Sequence, residues 1–207
     1  MSDSASSVLQ SISERILAAY LEKQGYSGVH IVSSRAADYG TPGVDLTYRT
    51  GGTTRRVKVK ADAYFGTDQG KVVDRSRPFY RSDAGHYAFE SISNTKTRES
   101  GWMFNSDADE LFYYFIVLSQ TEEEAEALLA EPNEVLFSEL DVDRDELRIL
   151  PMRGTRSWFE EHYEEYTPRP VTLEEHVAWY RMIPREDIDS SVTGIRVVGP
   201  VFRGIGE

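Results

Sequence analysis

The sequence predicts an α/β fold, a mixed central sheet flanked by helices, with a helical carboxy-terminal appendage. Three observations carry this expectation. The chain opens on an amphipathic helical pattern, continues as short strand patterns separated by turn residues, and then alternates helical patterns with buried apolar runs. Its 207 residues, 40% hydrophobic and 12% aromatic, suffice for one real core. The expected division is a core over 1–150 and a helical appendage, packed on it, over 151–207.

Each element follows from its local pattern. From Ser6 to about Gln24, the residues Val8, Leu9, Ile12, Ile16, Leu17, Tyr20 and Leu21 recur at three- and four-residue intervals, and Gly25 stops the helix. VHIVSS reads as a strand, AADYGTPG as a loop, VDLTYRT as a strand, GG as a turn and RRVKVKADAYFG as a long strand. TDQGKVVDRSRPFYRSDAG is loop-like, HYAFESIS is a strand, and NTKTRESGW a loop. SDADELFYYF is expected to start as a helix capped by Ser106, before a buried strand FIVLS. TEEEAEALLAE reads as helix, and EVLFSEL or LRIL as further strand. SWFEEHYEEY and VTLEEHVAWYRMI read as helices, the second opened by Thr172 with Glu175 in capping-box relation, and TGIRVVGPVFRGIGE as an edge strand.

Composition bounds the function. The absence of cysteine excludes disulfides, thiolate catalysis and zinc–cysteine sites. No run approaches a membrane span, and the polar start MSDSASS is not a signal peptide, so the cytoplasm is the simplest location. The net charge of −12 opposes a phosphate partner, but it is unevenly spread. Residues 1–100 hold 14 Lys and Arg against 11 Asp and Glu, whereas 101–207 hold 9 against 24. Arg55, Arg56, Lys58, Lys60, Lys71, Arg75, Arg77 and Arg81 form a basic region interleaved with Tyr64, Phe65, Phe79 and Tyr80. It reads as a nucleic-acid contact or as an ordinary solvated edge.

The stretch GVDLTYRTGGTTRRVKVKAD is the strongest candidate for chemistry. Alternation along a strand sends Lys58, Lys60 and Asp62 to one face, and a hairpin partner brings Asp45 toward that row. Two carboxylates there suit a hard cation such as Mg²⁺, with Lys60 beside an attacking water or a phosphate. The plainer reading is a hairpin with cross-strand ion pairs of little energetic weight. The four histidines lack ligand spacing, and Glu14 lies off the apolar stripe of its helix.

With LEKQGY, a strand, GVDL, Gly-Gly and VKVK in this order, the chain resembles the PD-(D/E)xK nuclease superfamily, in particular its restriction-endonuclease-like, phage-type branches. YAFESISNTKTRESGWMFNSDADELFYYF resembles the continuation found in some phage-type relatives. The resemblance implies a restriction-endonuclease-like fold and Mg²⁺- or Mn²⁺-dependent phosphodiester hydrolysis of nucleic acid, DNA before RNA, in a phage or mobile-element setting, and it is compatible with a homodimer. It places Asp45 on the motif aspartate and Lys60 on the motif lysine, with Asp62 and Glu90 as accessory metal ligands. Glu14 falls where many members carry a helix glutamate. Lys58, Arg55, Arg56, Arg75 and Arg77 then contact the nucleic-acid backbone. Position 58 departs from the pattern, because a charged lysine replaces the motif acid and cannot ligate a metal. That departure supports a second reading, a catalytically inactive relative that binds nucleic acid or a protein. A third is an interaction protein that presents its acidic carboxy-terminal half to a basic partner.

Overall fold

The computed structural model describes residues 3–32, 43–173 and 176–206. Helix α1 (Asp3–Lys23) forms where the apolar spacing places it, burying Val8, Leu9, Ile12, Ile16, Leu17 and Leu21. Three antiparallel strands follow, β1 (Ser27–Ile31), β2 (Leu46–Thr50) and β3 (Thr53–Asp62). Gly51 and Gly52, at φ 56° and 79°, supply the left-handed pair that a tight hairpin between β2 and β3 requires. The loop expected over AADYGTPG lies, apart from Gly43, outside the described residues, as do Ser33 and Ser34.

The chain then runs through β4 (Tyr64–Gly66), α2 (Gln69–Val73), β5 (Arg81–Ser82), β6 (His86–Asn94), β7 (Glu99–Ser100) and α3 (Trp102–Asn105). It returns as β8 (Glu110–Leu118), parallel to β3. Next come α4 (Glu122–Leu129), α5 (Asn133–Glu139), β9 (Val142–Pro151) and α6 (Met152–His162), with a 3₁₀ turn at Tyr163–Glu165. The last elements are β10 (Pro168–Thr172), β11 (Val177–Pro184), α7 (Arg185–Ser191), β12 (Arg196–Val198) and α8 (Arg203–Gly206). The central sheet is mixed and six-stranded, in the order β1-β2-β3-β8-β9-β12, and helices flank it. A second, four-stranded sheet has the order β10-β11-β6-β7, and β4 pairs with β5 as a short ribbon.

Strand β8 explains this layering. From Leu111 to Leu118 its sequence LFYYFIVL is an unbroken run of aliphatic and aromatic residues, so both of its faces need cover. Phe112, Tyr114, Ile116 and Leu118 enter a core shared with α1, α4 and α5. Leu111, Tyr113, Phe115 and Val117 enter a second core with Tyr87 and Phe89 of β6, Phe159 of α6 and Ile188 of α7. Among the described residues no helix is long and apolar enough to cross a membrane.

Three local expectations are corrected. SDADELFYYF is not a helix capped by Ser106: Ser106 closes α3, its Oγ donates to the Gly43 carbonyl at 2.7 Å, and the aromatic run continues into β8. EVLFSEL lies in α5, where Leu136 reaches the first core. VTLEEHVAWYRMI is not a helix either; it spans the β10–β11 hairpin, with Glu175 outside the described residues. Pairing of β11 with β6 overrides the capping pattern; Ala178 and Ile183 are its buried residues, and a bulge between Trp179 and Tyr180 separates them. Residues 151–207 therefore add β10 and β11 to the second sheet and β12 to the edge of the central one, as well as helices.

The carboxy-terminal segment is held by one buried side chain. Asp145, 7% exposed, accepts at Oδ2 from the Tyr114 hydroxyl (2.8 Å) and from the backbone N–H groups of Val201 (2.7 Å) and Phe202 (2.9 Å). Replacing Asp145 by Ala strands buried donors, each worth roughly 1–3 kcal/mol. The expected outcome is a clear drop in the urea midpoint, with hydrogen exchange accelerated first over 196–206.

Candidate functional site

The site begins where β2 ends and β3 continues. Asp45 stands just before β2; its N–H donates to the Val57 carbonyl at 2.8 Å and its Oδ2 accepts from the Val59 N–H at 2.7 Å. The carboxylate thus completes the β3 edge where the partner strand stops. One step further, the Gln10 amide of α1 accepts from the Ala61 N–H and donates to the Val59 carbonyl, both at 3.1 Å. A side chain from the helix stands in for a missing strand, because buried backbone groups must be paired. The same Gln10 Nε2 donates to Glu14 Oε1 at 2.9 Å.

Val57, Val59 and Ala61 enter the first core, so Lys58, Lys60 and Asp62 alternate to the opposite face. Lys58 Nζ lies 2.9 Å from Asp45 Oδ2 and 5.9 Å from the centroid of the Trp102 ring. Lys60 Nζ donates to the Ala61 carbonyl at 3.1 Å and lies 6.0 Å from the centroid of the Tyr180 ring. Burial pulls the Lys60 ammonium below its ordinary pKa, opposed by the charge of Asp62, reinforced by Lys58 and opposed again by Glu90.

As accessory ligands of one ion, Asp62 and Glu90 would stand on neighbouring strands of one sheet. They instead stand on β3 and β6, strands of two different sheets. Asp62 accepts from the Tyr113 hydroxyl at 2.5 Å and from the Tyr64 N–H at 2.9 Å. Burial first, and the Asp62 charge second, raise the Tyr113 hydroxyl well above its ordinary value, so it remains a donor. Glu90 accepts from the Trp102 N–H at 3.2 Å and from the Tyr180 hydroxyl at 2.8 Å. Every carboxylate assigned to a metal is thus engaged by donors of the protein, and an ammonium is the cation beside Asp45. In this arrangement the donor set does not fit a divalent ion, which requires several oxygens turned toward one point. Among the described residues no three acidic or histidine side chains converge in that way.

Lys58, Lys60, Glu90, Trp102 and Tyr180 line one cleft of about 570 Å³, closed on one side by Ser6, Ser7 and Gln10 of α1 and on another by His176. The other basic residues stand elsewhere. Arg56 pairs with Asp109 at 3.2 Å, beside the start of β8, and Arg55 is its exposed neighbour. Lys71 pairs with Asp143 at 2.9 Å and donates to the Ser119 hydroxyl at 3.3 Å, while Arg77 pairs with Asp74 and donates to the Ser119 carbonyl, beyond the other end of β8. Arg75 is exposed in the loop just before Arg77. The nine residues of β8 separate these groups by about 30 Å, so they do not form the single rim expected of them.

Sequence reasoning underrated Glu14 and missed Gln10, Tyr113, Tyr180 and His176. Gln10 and Glu14 are four residues apart on one face of α1, a spacing that pairs side chains, but the strand edge they serve is invisible in sequence. Tyr180 carried no signal, because its segment reads as helix.

Set against known protein families, curated proteins and solved structures, the chain matches none.

Glu14 provides a direct test of this geometry. Burial, with the nearby Asp45 charge adding to it, pushes its carboxyl up to about 7, despite the Gln10 hydrogen bond and the Lys58 charge. A raised carboxyl takes up a proton on folding between its unfolded value, near 4.5, and its folded value. Stability from this group is full below pH 4.5 and is lost as pH rises through 7. Glu14→Gln should therefore match wild type at pH 4 and exceed it at pH 8 in denaturant melts. Equal curves at both pH values would remove Glu14 from this cluster.

Proposed function

We propose that the chain binds nucleic acid in the cleft between α1, β3 and the β6–β11 pair, on a nuclease-like framework in which Lys58 takes the place of a metal ion. The observation that carries this reading is the 2.9 Å contact of Lys58 Nζ with Asp45 Oδ2. An ammonium there neutralises the carboxylate, as a bound cation would, and leaves Lys60, which no ion pair holds among the described residues, as the cation available to a phosphate. Two further features support it. Lys58 and Lys60 share the cleft with the rings of Trp102 and Tyr180, the pairing of cations and aromatic faces that suits phosphates and stacked bases. The order of α1, β1, Asp45 ahead of β2, and the lysines on β3 also agrees with the motif order of the PD-(D/E)xK resemblance.

The dispersal of the remaining basic residues sets a magnitude. With Lys58 paired to Asp45, one lysine neutralising one phosphate gives a logarithmic salt slope of about −0.7 on single strands to about −0.9 on duplex. Fluorescence anisotropy with labelled single- and double-stranded DNA and RNA should return such a shallow slope, with Lys60→Ala weakening binding about tenfold. A slope several units steeper would mean that Arg55, Arg75 and Arg77 join the contact after all. The hydrolytic reading is tested on the same substrates with Mg²⁺ and Mn²⁺: cleavage by wild type that both Asp45→Ala and Lys60→Ala abolish would replace the binding reading by that of a nuclease.

A further inference from the structure

A second cleft, of about 520 Å³, adjoins the first across α3. Glu90 and Tyr180 are register partners facing the first cleft, and the alternating neighbours Ser91 and Arg181 line the second. The short helix α3 divides the two, sending Trp102 into the first and Phe104 into the second.

The chemistry of this second cleft is unusual for so acidic a protein. Two guanidinium groups, Arg98 and Arg181, line it with three aromatic residues, Phe104, Tyr163 and Trp179. Its one acid, Glu164, accepts a hydrogen bond from the Tyr163 hydroxyl at 3.2 Å. Arg181 lies with its guanidinium carbon 5.3 Å from the centroid of the Tyr163 ring and donates through Nη1 to the Tyr166 carbonyl. Its buried Nε has no hydrogen-bond partner among the described residues. Phe104 meets Tyr163 edge to face at 5.3 Å, and Trp179 is 37% exposed at the mouth.

Arg98 adds an independent observation. It is the non-glycine residue with positive φ (57°) among the described residues, in the β6–β7 turn where Asn94 Oδ1 accepts from the Lys96 and Thr97 N–H groups. Glycine or asparagine fills such a position at lower conformational cost. No ion pair holds Arg98 to another described residue, so the fold gains nothing visible from a long cation in a strained turn. Strain of this kind is retained where the side chain serves a ligand.

We infer that the second cleft binds one nucleotide unit, its base against Trp179 and Phe104 and its phosphate between Arg98 and Arg181. This deepens the nucleic-acid reading by adding a subsite next to the first cleft, and it rests on that reading for the strand that would cross α3. Arg98 provides the forked donors that match phosphate oxygens, Arg181 adds the positive charge and the Nη2 donors that Tyr166 leaves over, and the aromatic walls accept any base.

The test uses the full chain and adenosine 5′-monophosphate, with tryptophan emission as the reading and Trp179→Phe as the control that identifies its source. Adenosine 5′-monophosphate should quench Trp179, uncharged adenosine should bind about tenfold or more weakly, and Lys60→Ala should leave this response in place. Arg98→Gly should raise the thermal midpoint, because it relieves the left-handed strain, and yet weaken the mononucleotide about tenfold. Arg98→Gly binding as tightly as wild type, or the absence of any Trp179 response, overturns the second subsite. In that case oligonucleotide binding that depends on Lys60 leaves the first cleft's reading intact. Conversely, a Trp179 response that depends on Arg98, without oligonucleotide binding that depends on Lys60, keeps this cleft as a mononucleotide site and removes the reading of the first.

Discussion

Strand β8 is buried on both faces, and the rest of the molecule is arranged to meet that requirement. An uninterrupted run of aromatic and aliphatic residues has no face that water can solvate, so one side must be covered by helices and the other by something of similar breadth. Helices α1, α4 and α5 cover the first side, and the second sheet with α6 and α7 covers the other. Both candidate clefts are lined by residues of the second sheet, the first by Glu90 and Tyr180 and the second by Ser91, Trp179 and Arg181.

Along the uncovered part of β3, polar side chains replace strands. Asp45 and Gln10 pair the backbone of Val59 and Ala61 that β2 leaves behind. Asp45 does so while the same Oδ2 also meets the Lys58 ammonium. The same economy holds for Asp62, committed to Tyr113 and Tyr64, and for Glu90, committed to Tyr180 and Trp102. Acids that look like metal ligands in sequence here fasten neighbouring elements, Asp45 and Asp62 within and beside the central sheet, and Glu90 between β6, β11 and α3. Lys60 remains as a cleft cation that no carboxylate pairs among the described residues.

Charge is organised on the same principle. The protein carries a net charge of −12, and several basic residues of the amino-terminal half meet an acid: Arg56 with Asp109, Lys58 with Asp45, Lys71 with Asp143 and Arg77 with Asp74. A run of basic residues in sequence therefore becomes several separate ion pairs spread over about 30 Å, about three Debye lengths at 0.1 M salt, rather than a continuous field. Long-range attraction of a polyanion is weak under these conditions.

Several features were legible in the sequence because they depend on neighbours in the chain. The first helix, the hairpin with its Gly-Gly turn, the single face shared by Lys58, Lys60 and Asp62, and the helix in TEEEAEALLAE are all set by three- to four-residue or two-residue periodicity and by local backbone sterics. Tertiary structure alone decided what depends on distant partners. VAWYRMI became a strand because β6 offered its edge, and EVLFSEL became a helix because Leu136 found the first core. Glu14 entered the site because α1 crosses the end of β2, a meeting that no periodicity encodes. Local sterics choose the conformations open to a segment, and burial against another part of the chain, worth more than the fraction of a kilocalorie per residue that separates those conformations, selects among them.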